Sequence, residues 1–118
     1  MSLNSHPKQG DVYWIDPNPA SQIEQRSKHR FVIITPQEIN ALGVSFAVPI
    51  MTSKVFLKRT STTVPVNGYH TTGVAVCNQI RSFDVKVRVK LRKAAYIETL
   101  SPQVVSEIIN RVLKIIET

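Results

Sequence analysis

The sequence is short of cysteine, of acid in its middle third, and of any long apolar run. Its one thiol, Cys77, cannot close an internal disulfide, which excludes a disulfide-stapled scaffold and suits a reducing cytosol. No stretch approaches the ~20 consecutive apolar residues of a membrane span. Met1 to Gln9 lacks the apolar run of a signal peptide. A cytoplasmic protein without membrane association is therefore expected. No group of His, Cys, Asp and Glu has metal-ligand spacing, so neither a metal nor another cofactor is expected. Internal repeats and low-complexity segments are lacking as well. What remains fits one domain over residues 1–118, with residues 1–9 expected to be flexible.

The shortage of acid is local. Residues 1–49 hold four basic and four acidic side chains, and residues 94–118 hold two and three. Residues 50–93 hold nine basic side chains against a single acid, Asp84. A concentrated cationic field is what a polyanion binder needs, because each neutralised phosphate releases condensed counterions. The plain alternative is a soluble basic surface.

The apolar pattern is mainly that of short strands. Asp11 to Ile15 is aromatic and β-branched and ends at Asp16-Pro17-Asn18-Pro19, where proline offers no ladder donor. A polar loop then runs to Arg30, long enough to suggest a functional role. Phe31 to Thr35 is continuously apolar, as in a strand buried on both faces. Pro36 to Leu42 fits one helical turn ending at Gly43, and Val44 to Ile50 a third strand. Met51 to Thr60 reads as a second polar, basic loop. Thr62 to Val66 is a weak strand that Pro65 assigns to an edge or bulge. Asn67-Gly68 marks a turn before a strand over Gly73 to Gln79. Val85 to Lys93 alternates strictly, which predicts a half-buried strand whose outer face is Lys86, Arg88, Lys90 and Arg92. Ser101-Pro102 opens a helix whose stripe is Val105, Ile108, Ile109, Val112, Ile115 and Ile116. Five or six short strands and one terminal helix suggest a small twisted barrel.

An ordered set of segments carries a resemblance. Gly10 to Asp16, Pro19, Glu24-Gln25, Arg30 to Thr35, Asn40, Val48-Pro49-Ile50, Thr52-Ser53 and Gly73 to Asp84 follow one another as in the PemK/MazF toxins. The likeness covers nearly the whole chain. It implies an SH3-like barrel of five to seven strands with a C-terminal α-helix, and a homodimer. It also implies a ribosome-independent, sequence-specific endoribonuclease acting on single-stranded RNA and neutralised by a cognate antitoxin.

The residues make chemical sense beside that resemblance. Metal-free RNA cleavage needs a cation on the developing charge, donors on the phosphate, and proton carriers. Arg30 stands where the family carries its catalytic arginine, at the start of a buried strand. A permanently charged guanidinium suits it to electrostatic stabilisation rather than to acid catalysis. The alternative is a surface pair with Glu24. Thr52 or Ser53 would supply the hydroxyl, although Met51 stands where the family often has threonine, and both hydroxyls also suit a loop cap. Asn78 replaces an aspartate assigned to proton transfer in some relatives; an amide can only orient RNA. Ile23 replaces a histidine of others. Glu24 is then the candidate proton acceptor, with a structural loop anchor as its rival, while His29 and His70 have no motif behind them. Gln79 and Arg81 are candidate RNA contacts, Arg81 having a turn pair with Asp84 as its alternative. Lys86 and Arg88 would track the RNA backbone or receive the acidic, extended tail of the antitoxin. Tyr13, Trp14 and Phe83 read as core, and Cys77 as a small buried hydrophobe.

Two other functions compete. Toxins of the same fold poison DNA gyrase through an aromatic C-terminal end, whereas this chain ends Lys114-Ile115-Ile116-Glu117-Thr118 with its only tryptophan at Trp14. A non-catalytic barrel that binds nucleic acid or a partner is the other.

Overall fold

A computed structural model describes residues 5–17, 29–52 and 60–117. The chain runs β1 (Asp11–Ile15), β2 (His29–Ile33), α1 (Gln37–Asn40), β3 (Ser45–Met51), β4 (Thr63–Asn67), β5 (Thr72–Val76) and β6 (Arg81–Phe83). Then come α2 (Val85–Lys90), β7 (Ala94–Thr99) and α3 (Pro102–Ile116). Among the described residues seven strands form one antiparallel sheet of order β4-β5-β3-β2-β1-β7, with β6 pairing β3. The architecture is mainly β with a C-terminal helix, as the sequence led one to expect. The two polar loops expected at 16–30 and 51–60 fall largely outside the described residues.

Alternation builds two cores on this sheet. Val12, Val32, Val48 and Ile50 face one way and pack with Val105, Ile108 and Val112 of α3. Tyr13, Ile15, Phe31, Ile33 and Ala47 face the other way and pack with Phe83 and with Val85 of α2. The central strands are thus buried on both faces, which is why β2 reads as an unbroken apolar run. Among the described residues β4 pairs only β5, and its Pro65 points to solvent, consistent with an edge strand. The ends of the strand path meet through a side chain: the Glu98 carboxylate of β7 accepts the Tyr69 and His70 amides of the β4–β5 turn, at 2.9 and 2.8 Å. At the N-terminal side, Asn40 donates to the Pro7 carbonyl at 2.8 Å and Gln37 to that of His6 at 3.2 Å.

One expectation is overturned. Val85–Lys90 is a helix and not the cationic strand that its alternation predicts. Asp84 caps it by accepting from Val87 N at 3.2 Å. At its other end Arg92 takes a left-handed φ of 60°, and Lys93 N returns to Arg88 O at 2.8 Å, closing a Schellman-type turn. Helical spacing buries Val85 and half-buries Val89, while Val87 and Leu91 face solvent. The edge of β1 that such a strand would need is taken by Ala94–Thr99. β6 and β7 are the two strands that the pattern hides, β6 for its brevity and β7 for its alanines and mixed polarity.

Candidate functional site

Arg30 lies on β2 between Trp14 of β1 and Ile50 of β3. Because it alternates with Phe31, it shares the face of Val32, which is the α3 side. Its side chain is exposed at the strand's start, yet it is anchored: Nη1 donates to the His70 carbonyl and lies 3.4 Å from Thr71 Oγ1. A guanidinium has five donors, so this anchor leaves most of them for another partner.

The anchor is itself held. Thr71 is buried, Gly68 N donates to Thr71 O at 2.8 Å, and the Glu98 carboxylate gathers the Tyr69 and His70 amides. Burial alone would raise the Glu98 carboxyl, but hydrogen bonds from the Thr71 hydroxyl and the His70 and Tyr69 amides, with the field of His70, outweigh it. The group sits below its ordinary range. Gly68 leaves room for this carboxylate, since a Cβ there would lie 2.6 Å from Glu98 Oε1 and Glu98 would have to shift. Sequence reasoning missed Glu98, Tyr69 and Thr71. The Asn67-Gly68 turn was the only signal, since 28 residues or more separate the turn from Glu98.

Thr52 leaves β3 at the same end of the sheet. Gly73, at φ +149°, lets the backbones close: a Cβ there would stand 2.4 Å from Met51 O and 3.3 Å from the Thr52 methyl. Arg30, Thr52 and the 70–73 segment are therefore neighbours in the fold. Glu24 and Ser53 lie outside the described residues.

The other predicted residues lie elsewhere. Asn78 and Gln79 are exposed in the turn after β5, at the strand's far end from Thr71. Five residues at ~3.3 Å each put roughly 16 Å between those ends. Arg81 pairs in register with Ala47 and lies 5.4 Å over the Phe83 ring, on the α2 side. Asp84 is occupied as the α2 cap. Arg88, expected on a solvent-facing strand, is half-buried instead: it donates to the Asp16 carbonyl at 2.6 Å and covers Phe83 at 5.1 Å. The helix turns it inward because residues two apart on a helix point to opposite sides. Lys86 and Lys90, four apart, share a face and line a cleft of about 160 Å³ with Asn40 and Ser45.

The aromatic and thiol assignments agree with the fold. Tyr13 and Phe83 are buried and Trp14 half-buried. The Tyr13 hydroxyl is pushed up to about 12 by burial and then by Asp11 and Tyr96. Cys77 is fully buried and its thiol is pushed up to about 11 by burial, as suits a small buried hydrophobe. Among the described residues no group of three or more His, Cys, Asp and Glu is arranged to hold a metal, and no helix is long and apolar enough to cross a membrane.

Comparison with known proteins puts this geometry in a family. The model of the PemK-like, MazF-like toxins of type II toxin–antitoxin systems matches residues 8–116. The endoribonuclease PemK of Escherichia coli is 26% identical over 104 residues, 86% of this chain and 78% of PemK. The endoribonuclease toxin ChpB of Escherichia coli K12 is 28% identical over 122 aligned positions, 99% of this chain and 100% of ChpB. In structure, MazF of Deinococcus radiodurans superposes with a TM-score of 0.75 at 19% identity, over 98% of this chain and 100% of that one. A mycobacterial endoribonuclease solved in complex with its cognate antitoxin gives 0.70 at 16%, over 93% and 94%. The chain is a member of the PemK-like, MazF-like toxin family of type II toxin–antitoxin systems.

Proposed function

We propose that this toxin inhibits growth by cutting single-stranded mRNA, as a ribosome-independent, sequence-specific endoribonuclease that needs no metal. The observation that carries the reading is Arg30: an exposed guanidinium on a doubly buried strand, aimed by the His70 carbonyl and left with free donors. In the reaction the ribose 2′-oxygen attacks the adjacent phosphorus and the bond from phosphorus to the 5′-oxygen breaks. The 2′-proton passes to a base and the leaving 5′-oxygen gains a proton. The products are a 2′,3′-cyclic phosphate and a 5′-hydroxyl.

Arg30 meets the negative charge that builds on the phosphate oxygens, where fixed donors lower the barrier most. The hydroxyl of Thr52, or that of Ser53, donates to the same phosphate. Glu24 serves as the proton acceptor in this reading, and Asn78, Gln79 and Arg81 bind RNA. Lys86 contributes phosphate attraction from α2. The toxin acts in the cytosol as a twofold dimer, and an acidic, extended segment of the antitoxin competes with RNA for the basic surface.

The test is incubation with mixed RNA in excess EDTA, followed by mapping of the ends. Cleavage that persists and leaves 5′-hydroxyl ends is expected. Loss of cleavage on chelation, or 5′-phosphate ends, counts against the mechanism; binding without cleavage returns the protein to the non-catalytic class.

A further inference from the structure

Among the described aromatics one is out of keeping with the rest. Tyr69 is 98% exposed, and among the described residues no ring lies against it, whereas Tyr96 is edge-on to Tyr13 and Phe83 to Phe31. Its backbone is the opposite of free. The amide is fixed to Glu98 at 2.9 Å, the next amide to the same carboxylate at 2.8 Å, and the turn is closed from Gly68 N to Thr71 O at 2.8 Å. Glu98 and Thr71, which do this holding, are both buried. Folding therefore spends buried polar groups to fix a turn whose aromatic ring it then leaves in water. Nothing in the packing asks for a tyrosine there.

The ring's neighbours give it a use. His70, one residue on, offers the carbonyl that anchors Arg30. On its other flank Tyr69 walls an open cleft of about 450 Å³ with Asn67, Glu98, Ser101 and Val104, a size within the ~300–1,000 Å³ of small-ligand pockets. A flat ring carried on a fixed turn, one residue from the carbonyl that anchors Arg30, matches what single-stranded RNA presents, a base stacked next to a backbone charge.

We propose that the β4–β5 tip is a nucleobase subsite, in which Tyr69 stacks on the base of a nucleotide flanking the phosphate at Arg30 and Glu98 is the positioning residue. The subsite rests on the RNA reading above. Rigid presentation means that stacking does not first have to order the loop, so the ring's contribution to affinity is retained.

The experiment uses the full chain and an RNA with 2-aminopurine beside the cut position, and the same RNA with a 2′-deoxy sugar there, which cannot be cut. Tyr69→Ala should bind the uncut RNA about 5- to 150-fold more weakly, the range of one lost base stack, while cleavage at saturating RNA stays within about threefold. Tyr69→Phe and Tyr69→Trp should restore affinity, whereas Tyr69→Leu should not. The wild type should quench the 2-aminopurine, and Tyr69→Ala and Glu98→Gln should quench it less. Equal binding by Tyr69→Ala, rescue by leucine as good as by phenylalanine, or a loss confined to antitoxin binding would each overturn the subsite while leaving wild-type cleavage intact. A wild type that neither binds nor cuts RNA would take down the function and the subsite together, and is told apart by that control.

Discussion

Two arginines on opposite sides of one sheet show how differently the same side chain is used. Arg30, on the α3 side, is steadied by one backbone carbonyl and keeps its remaining donors for solvent or a ligand. Arg88, on the α2 side, is spent within the fold, with the Asp16 carbonyl at 2.6 Å and the Phe83 ring beneath it. Net charge treats them alike. Support and exposure separate them: the rigid strand and clamped turn make Arg30 available for chemistry, while half-burial makes Arg88 a strut between α2, β6 and the end of β1.

The sharpest way to break that comparison is Arg30→Ala. Its cleavage rate on saturating RNA should fall by ~10²-fold or more, by analogy with a lost oxyanion donor. Affinity for uncut RNA should change little, since the interaction strengthens mainly as charge develops. Single-turnover cleavage beside a binding titration separates the two, and a parent-like rate would move Arg30 into the binding surface.

Arg88→Ala should act on stability instead. Losing a hydrogen bond from a charged donor and a cation–π contact is expected to cost about 2 kcal/mol, read as a Tm lower by several degrees with cleavage by the folded enzyme near normal. Lys86→Ala sets the contrast on the same helix: a log-affinity slope against log salt shallower by about 0.7, the single-strand value per phosphate contact. If Arg88→Ala melts like the parent and Lys86→Ala does not, their roles are reversed.

The smallest expected effect sharpens the Arg30 side. Glu98 titrates below its ordinary range in the folded chain, so its contribution is fully present above the unfolded value of ~4.3 and is lost as pH falls through the lower folded value. The Tyr69 and His70 amides should therefore exchange faster with solvent as pH falls from the unfolded value of ~4.3 through the lower folded one, relative to other protected amides in the same spectrum. Glu98→Gln should remove that pH dependence. A relative rate that stays flat through this window in the parent would detach the turn from its carboxylate.

How much of this was legible beforehand differs by element. β1 and β3 were found within a residue of their observed bounds, because aromatic and β-branched runs between turn residues have few other outcomes. β2 was found but begins two residues earlier than expected, at His29; the ladder to β1 and β3 extends the strand into residues whose polarity resembles a loop. That extension is what places Arg30 inside the strand and not on its threshold. The resemblance named Arg30 and Thr52, and the fold brings them to one end of the sheet. It placed Asn78 and Gln79 in the same list, and the fold puts them at the other end of β5.

By itself the sequence determined the elements whose local signals agree with their tertiary use: the doubly apolar central strands, the Pro65 edge, and α3 with its Ser101 cap and the Val105, Ile108 and Val112 part of its stripe, whose expected continuation at Ile115 and Ile116 is exposed instead. Tertiary structure alone decided α2 and the clamped turn. For Val85–Lys90 the alternation favours a strand, but β1 has one free edge and Ala94–Thr99 occupies it, so the Asp84 cap and the Arg92 turn prevail and every basic side chain on the segment is re-aimed. The clamp needs a carboxylate delivered from a strand 28 or 29 residues further along the chain, and no local pattern records a contact made only after the sheet has curled its two ends together.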